Sequence, residues 1–386
     1  MRSEEWSYLP LLRFAVSKRE EVPDTVRTTD WRLLLGFAKK QAIVGVLAPM
    51  MLERDERLEQ CRWLGNRPTD DDIMEWMGAV RKLESRNRLT NEKAAWVSRN
   101  FTTEGFHNCL LKGQGNALLY PHPEWRTPGD IDIWVWPKQQ EPRAEGAEVS
   151  DEVNTVIAYC RSIAGNKKAC YHHIEFRSAG KIPIEVHYRP SWLNNPFHNR
   201  RLQRWFLSHR AECGNNGSEL GANIPTWEFN VVFQLCHIYN HLLHEGIGLR
   251  QFFDYYYLLT GGKGGAEGEY TREAGLHRLG LLPIAGATMW ILKEVIGMEE
   301  TYMVCHPDER RGRVLLREIM ASGNFGHHDR RLLSGSYQSP VKSNVQRLVR
   351  DFRLMRHFPS ECLWEPWFRL YHCWWRWRHR GVGIKS

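Results

Sequence analysis

The sequence predicts an α+β protein in which a small mixed β-sheet lies between N-terminal and C-terminal helical segments. Three observations predict it. Residues 105–190 alternate in apolar character with period two in several short runs, the pattern of strands. The flanking regions repeat their apolar residues at helical spacing. Between them the turn signals cluster, as in PHPEWRTPG at 121–129.

Taken in order, residues 30–52 read as one helix capped by Thr29 or Asp30. Residues 69–104 read as a second, longer helix with a narrow stripe of Ile73, Met77, Val80, Leu83, Leu89 and Ala94. A short strand, Cys109–Leu111, breaks at Lys112-Gly113 and gives way to a short helix ending at Tyr120. DIDIWVW at 130–136 alternates as a strand, 138–152 is a polar loop, and 153–165 is a helix. HHIEFRSAGKIPIEVHYRP at 172–190 is a hairpin turning at Ala179-Gly180-Lys181. Helix resumes over 226–259 and 271–297, separated by the Gly-rich loop 260–269. Four consecutive blocks are therefore expected: 1–104 helical, 105–210 the α/β core, 224–300 a helical region completing a cleft, and 301–386 a basic Trp/Arg-rich helical region.

The 386 residues are 42% hydrophobic and 25% charged, a globular composition with no run long enough to span a membrane. Acidic residues interrupt MRSEEWSYLP where an export signal needs an apolar stretch. Nine scattered cysteines with no Cys-x-x-Cys pair point to reduced thiols and a cytoplasmic setting rather than to disulfides. The net charge of +8 is concentrated in residues 301–386, which hold 16 Lys and Arg against 7 Asp and Glu. Such a region suits phosphate-rich partners or an anionic surface, or is simply a solvated basic helix face. WFRLYHCWWRWRHR suits a membrane surface or a nucleic acid, since Trp and Arg serve interfaces and stacking, but Trp367, Leu370, Trp374 and Trp377 share helical spacing, the mark of a helix docked on the protein body.

The chemistry gathers in RTPGDIDIWV. On a strand, Asp130 and Asp132 point the same way with Cα atoms ~7 Å apart, while Ile131 and Ile133 face a core. Two carboxylates so close resist desolvation unless a cation neutralises them. Mg²⁺ (or Mn²⁺) suits them, since it takes oxygen ligands and keeps waters and substrate phosphates. In IPIEVHY the alternation sets Glu185 and His187 opposite Ile184 and Val186. A strand placed beside DIDIWV would add Glu185 as a third carboxylate, enough to hold two ions ~3.5–4 Å apart for in-line displacement at phosphorus. Lys112-Gly113-Gln114-Gly115 joins strand to helix, where glycines let backbone N–H groups approach an anion; the Walker spacing is absent.

These residues resemble the nucleotidyltransferase superfamily of the DNA polymerase β type. LLKGQGNALLYPHPEWRTPGDIDIWV and IPIEVHYRPSWL are similar to the bacterial group labelled nucleotidyltransferase family protein, and the likeness extends more weakly over roughly residues 28–260. The resemblance implies a polymerase β-like palm, Asp130, Asp132 and Glu185 as metal ligands and catalytic residues, and nucleotide binding by Lys112, Gly113, Gln114 and Arg126. It implies transfer of a nucleoside monophosphate from an NTP such as ATP to an acceptor, with pyrophosphate leaving. The acceptor is a small molecule, a protein or an RNA, and the oligomeric state is not legible. A toxin-like transferase acting on protein or tRNA, and a non-catalytic nucleotide-binding module of the same fold, are the alternatives. Gln114 departs from the superfamily's usual Ser, so a phosphate-contacting hydroxyl is missing.

Other residues are open between two readings. Arg126 pairs with a phosphate or neutralises the acids, and Tyr120 packs. His237, His241 and His244 share a helix face that looks into the cleft or into solvent, or binds zinc through its i, i+4 pair, though no Glu follows the first as in H-E-x-x-H. Asp254 faces the cleft or pairs with Arg250 at i, i+4. One of His172 and His173 faces the carboxylates, and His187 orients Glu185.

Overall fold

The computed structural model describes residues 4–17, 21–138, 148–176, 182–261, 269–324 and 340–383. The tip of the expected hairpin, Ala179-Gly180-Lys181, and most of the loops expected at 138–152 and 260–269 lie outside these residues. In chain order its elements include helices α1 (Trp31–Gln41), α2 (Val44–Leu52) and α3 (Asp70–Thr103), strand β1 (Phe106–Leu110), the single turn α4 (Gln114–Ala117) and strand β2 (Ile131–Pro137). Helix α5 (Glu148–Ala164) leads to β3 (His173–Glu175) and β4 (Ile184–His187). Helices α6 (Pro196–Ser208), α7 (Trp227–Asn240), α8 (Leu249–Gly261), α9 (Glu309–Ser322) and α10 (Pro359–Arg378) follow.

The chain forms two compact units, each built from three separated segments. One comprises 1–87, 119–127 and 237–358; the other comprises 88–118, 128–236 and 359–386.

The first unit is helical. Asp30 caps α1 by accepting from the backbone N–H groups of Arg32 and Leu33 at 3.0 and 2.9 Å. Trp31, Leu34, Leu35 and Ala38 bury one face of it. The single helix expected over 30–52 is two, because Ala42 adopts φ +56° and its N–H closes back on Ala38. The break lets Gly45 meet the chain at Trp125, whose carbonyl oxygen would lie 2.1 Å from any Cβ there. Gln41, fully buried, ties three segments together: its amide donates to the Ile319 carbonyl at 3.2 Å and accepts from Leu249 N–H at 3.1 Å.

The second unit carries a four-stranded sheet of order β1-β2-β4-β3. β1 pairs antiparallel with β2, β2 runs parallel to β4, and β3 pairs antiparallel with β4. A parallel pair needs a crossover, and α5 with β3 fills it. Ile131, Ile133, Val135, Ile174, Ile184 and Val186 pack one face against Phe101, Val153, Val156 and Ile157. Each such residue contributes about 1.5–3 kcal/mol by burial. On the other face Trp134 stacks on Phe229, with ring centroids 5.6 Å apart.

The C-terminal helix docks through a different face from the one its Trp spacing suggests. Cys362 and Trp375 are buried, with Phe368 and His372 half-buried, whereas Trp367, Leu370, Trp374 and Trp377 are exposed by 65, 65, 47 and 66%. The reason lies in the polar residues on the docked face. Glu361 accepts from the backbone N–H groups of Asn194 and Asn195, and Glu365 pairs with Arg369, so two acids can sit in the interface at 1 and 4% exposure. Trp375 stacks on Tyr188 at 5.9 Å, inside the sheet's own core. Beyond it, Arg161 of α5 donates to the carbonyls of His379 and Val382 at 2.8 and 2.6 Å.

Candidate active site

β2 and β4 bring the acids together. Their register sets Asp132 directly beside Glu185, and because paired residues on neighbouring strands face the same side, both carboxylates project from the face opposite Ile131, Ile133 and Val186. Asp130 stands one residue before β2. One oxygen from each of Asp130, Asp132 and Glu185 lies within 4.8 Å of the others.

The acids are met by cations from the same unit. Lys112 Nζ is 3.2 Å from Asp132 Oδ2, an ion pair without the alignment of a hydrogen bond. His187 Nε2 lies 2.9 Å from Asp132 Oδ1 and 3.5 Å from Glu185 Oε2. His173 Nδ1 is 3.5 Å from Glu185 Oε2. Burial alone would lower the His187 pKa; its hydrogen bonds to Asp132 and Glu185 outweigh that and raise it to about 9. Burial would raise Glu185, but the hydrogen bond from His187 and the charges of His173, His187 and Lys112 bring it down to about 2. Burial likewise opposes the Lys112 charge, and the three carboxylates overcome it and raise its pKa. His172, buried among His173, His187 and Lys112, is pushed well below the usual imidazole range. Its Nε2 is 2.7 Å from His173 Nδ1.

The Lys112-Gly113 turn that delivers this lysine depends on its glycine. Gly113 has φ +65°, and a Cβ would meet the Asp130 carbonyl oxygen at 3.4 Å. Gln114 is buried and its amide donates to Asn91 of α3.

Arg126, His241 and Asp254 belong to the other unit. Arg126 binds Asp254 through two bonds, Nε to Oδ1 and Nη2 to Oδ2, each 2.7 Å. Tyr120 donates its hydroxyl to the same Oδ1 at 2.7 Å. All three are at most 6% exposed. Burial would raise the Asp254 pKa; the Arg126 charge and hydrogen bonds lower it. Arg250 donates to the Thr127 carbonyl at 3.2 Å, and its charge adds to the field on Asp254. No spacing rule joins residues 128 apart, so sequence reasoning had no signal for this pair. His241 follows α7 in a wide helical turn, with Nε2 3.1 Å from His237 and Nδ1 3.1 Å from Glu245. The clusters able to hold a metal among the described residues do not include it.

Three hard oxygen donors on one sheet face, with Asp132 Oδ2 buried and lacking an aligned hydrogen bond, fit a divalent cation such as Mg²⁺. A small mixed sheet among helices with acids on adjacent parallel strands is an α+β nucleotidyltransferase-like fold. The chain belongs to the family described as uncharacterised nucleotidyltransferase, whose model matches residues 27–297. No curated protein and no solved structure matched in comparison with the chain. Among the described residues, no helix is long and apolar enough to cross a membrane.

Proposed function

We propose that the protein transfers a nucleoside monophosphate from an NTP to an acceptor hydroxyl in a reaction dependent on Mg²⁺ or Mn²⁺. One observation carries the reading: Asp130, Asp132 and Glu185 each offer an oxygen within 4.8 Å of the others. Likeness to the polymerase β-type superfamily supports it. A bound divalent cation would neutralise charge on the phosphates and favour ionisation of the attacking oxygen. In the reaction the acceptor oxygen bonds to the α-phosphorus, the bond from that phosphorus to the β-phosphate's bridging oxygen breaks, and pyrophosphate leaves with the electron pair. The acceptor's proton passes to the Glu185 carboxylate, the third acid of the cluster. Glu185 is then both ligand and base. Lys112 holds the carboxylates in place before metal arrives and faces the phosphates afterwards. The backbone of the Gly113 turn, rather than the side chain of Gln114, would contact the triphosphate. The bidentate bond of Arg126 to Asp254 supports a structural part for that arginine.

A second reading has one observation in its favour. Lys112, His173 and His187 already balance the acids without a metal, as a non-catalytic nucleotide-binding module would require. Calorimetric titration with each NTP, with and without Mg²⁺, separates the two. Metal-dependent binding followed by pyrophosphate release over a metabolite, protein and tRNA panel supports transfer, and label from α-³²P-NTP on tRNA or protein supports the toxin-like form. Binding indifferent to metal, with no release, supports the module.

A further inference from the structure

Outside the carboxylate site, the sheet-bearing unit holds a cavity of about 550 Å³ between α6 and α10, within the usual size of a ligand pocket. Its walls are of two kinds. Tyr171, Trp364, Trp367, Phe368 and Tyr371 supply aromatic surface, and Arg189, Arg200 and Arg204 supply charge. Among the described residues, no carboxylate lines it.

The three arginines are not equivalent. Arg189 is committed: it donates to the Tyr171 carbonyl at 2.6 Å and lies 4.5 Å from the Tyr171 ring centroid. Arg200 and Arg204, one helical turn apart on α6, are exposed and make no ion pair among the described residues. Two uncompensated cations beside aromatic rings select a ligand that is both planar and anionic. Asn194 adds a polar group to the lining. Its amide nitrogen is held by the Glu361 carbonyl at 3.2 Å, and its Oδ1 is buried without a hydrogen-bond partner.

Aromatic surface continues along α10 beyond the cavity. Trp374 and Trp377 are exposed, and the Arg378 guanidinium sits 5.6 Å from the Trp374 ring. Rings spaced along a helix with arginines between them suit successive bases and phosphates. A lipid surface would engage the exposed Trp and Leu stripe of α10 alone, whereas the paired arginines here border a recess.

We propose that the cavity between α6 and α10 binds a nucleotide unit of a single-stranded nucleic acid, its base against Trp367 and Tyr371 and its phosphate at Arg200 and Arg204. The proposal stands apart from the catalytic reading, because it needs neither the metal nor the carboxylates.

The test uses the full chain in EDTA, following tryptophan fluorescence during titration with an oligoribonucleotide of about twelve residues, with AMP, and with anionic vesicles. The expected result is quenching by the oligonucleotide that weakens with salt. The Arg200→Glu/Arg204→Glu variant loses at least about tenfold in affinity, and its salt slope falls by ~0.7 for each phosphate contact removed. Tyr371→Ala, checked for an unchanged melting temperature, weakens binding about tenfold. Tighter oligonucleotide than AMP binding assigns the cavity to a strand; equal affinities assign it to a free nucleotide. Absence of quenching by either at low salt, equal binding by the arginine variant, or binding to vesicles alone overturns the proposal. Asp132→Asn leaves this binding unchanged. Metal-dependent NTP binding that fails while the oligonucleotide still binds overturns the catalytic reading alone.

Discussion

Asp254 and Asp132 are both buried aspartates, at 5 and 1% exposure, and they are built in opposite ways. Asp254 receives a two-pronged arginine and a tyrosine hydroxyl, all at 2.7 Å. Its charge is spent inside the unit. Asp132 shares its sheet face with two more carboxylates; His187 Nε2 lies 2.9 Å from its Oδ1, while its Oδ2 meets a lysine without hydrogen-bond alignment. A closed pair resists exchange of partners, because each would be left charged in low dielectric. A cluster of three acids with one buried oxygen left without a hydrogen bond can take a divalent ion in place of its cations. Burial of a carboxylate alone therefore says nothing about function; the completeness of its partners does.

The largest test of this contrast is Arg126→Ala. It strands the Asp254 charge and is expected to cost about 3–5 kcal/mol in urea unfolding. The same pair has an acid limit. The folded pKa of Asp254 is depressed, so its stabilising contribution is complete above the unfolded value near ~3.9 and is lost as pH falls through the folded one. Wild type should lose stability below about pH 4 more steeply than Asp254→Asn, measured by urea midpoints from pH 7 to pH 2.5. A next, smaller effect is metal stabilisation: Mg²⁺ at a hundredfold over its dissociation constant should raise stability by about 2.7 kcal/mol. Asp132→Asn should abolish that gain, read as the difference between its own midpoints with and without metal. A Mg²⁺-independent midpoint in the wild type would make Asp132 another closed site. In catalysis, Asp132→Asn should lower pyrophosphate release by more than the ~10–100-fold that loss of an outer partner of a metal ligand causes. The smallest effect serves as a control. Asp30→Ala, which removes only the α1 cap, should cost about 1 kcal/mol and leave metal binding untouched.

Sequence reading reached the parts governed by local periodicity. Alternation in DIDIWV and IPIEVHY placed Asp132 and Glu185 on one face, and the register joins them as neighbours. The long helix over 69–104 lies at 70–103. Asp254 escaped, since the i, i+4 rule offered Arg250 whereas its bonded partner is Arg126, brought close only by folding. The face of α10 was misread for a related reason. Apolar periodicity marks the stripe with the most tryptophans, but Cys362, Phe368 and Trp375 pack the other one, with Glu361 and Glu365 partly paired in the interface. Periodicity counts hydrophobic side chains and cannot see which acids will be satisfied.

The burial of Trp375 has a consequence for where this protein can be divided. The family resemblance ends at residue 297, yet an indole 78 positions further on fills the same core as Ile174 and Val186. A fragment cut at the edge of the recognisable family region would leave the sheet with a hole where that ring belongs. The stretch that the family model matches and the stretch that builds the sheet's core are thus different.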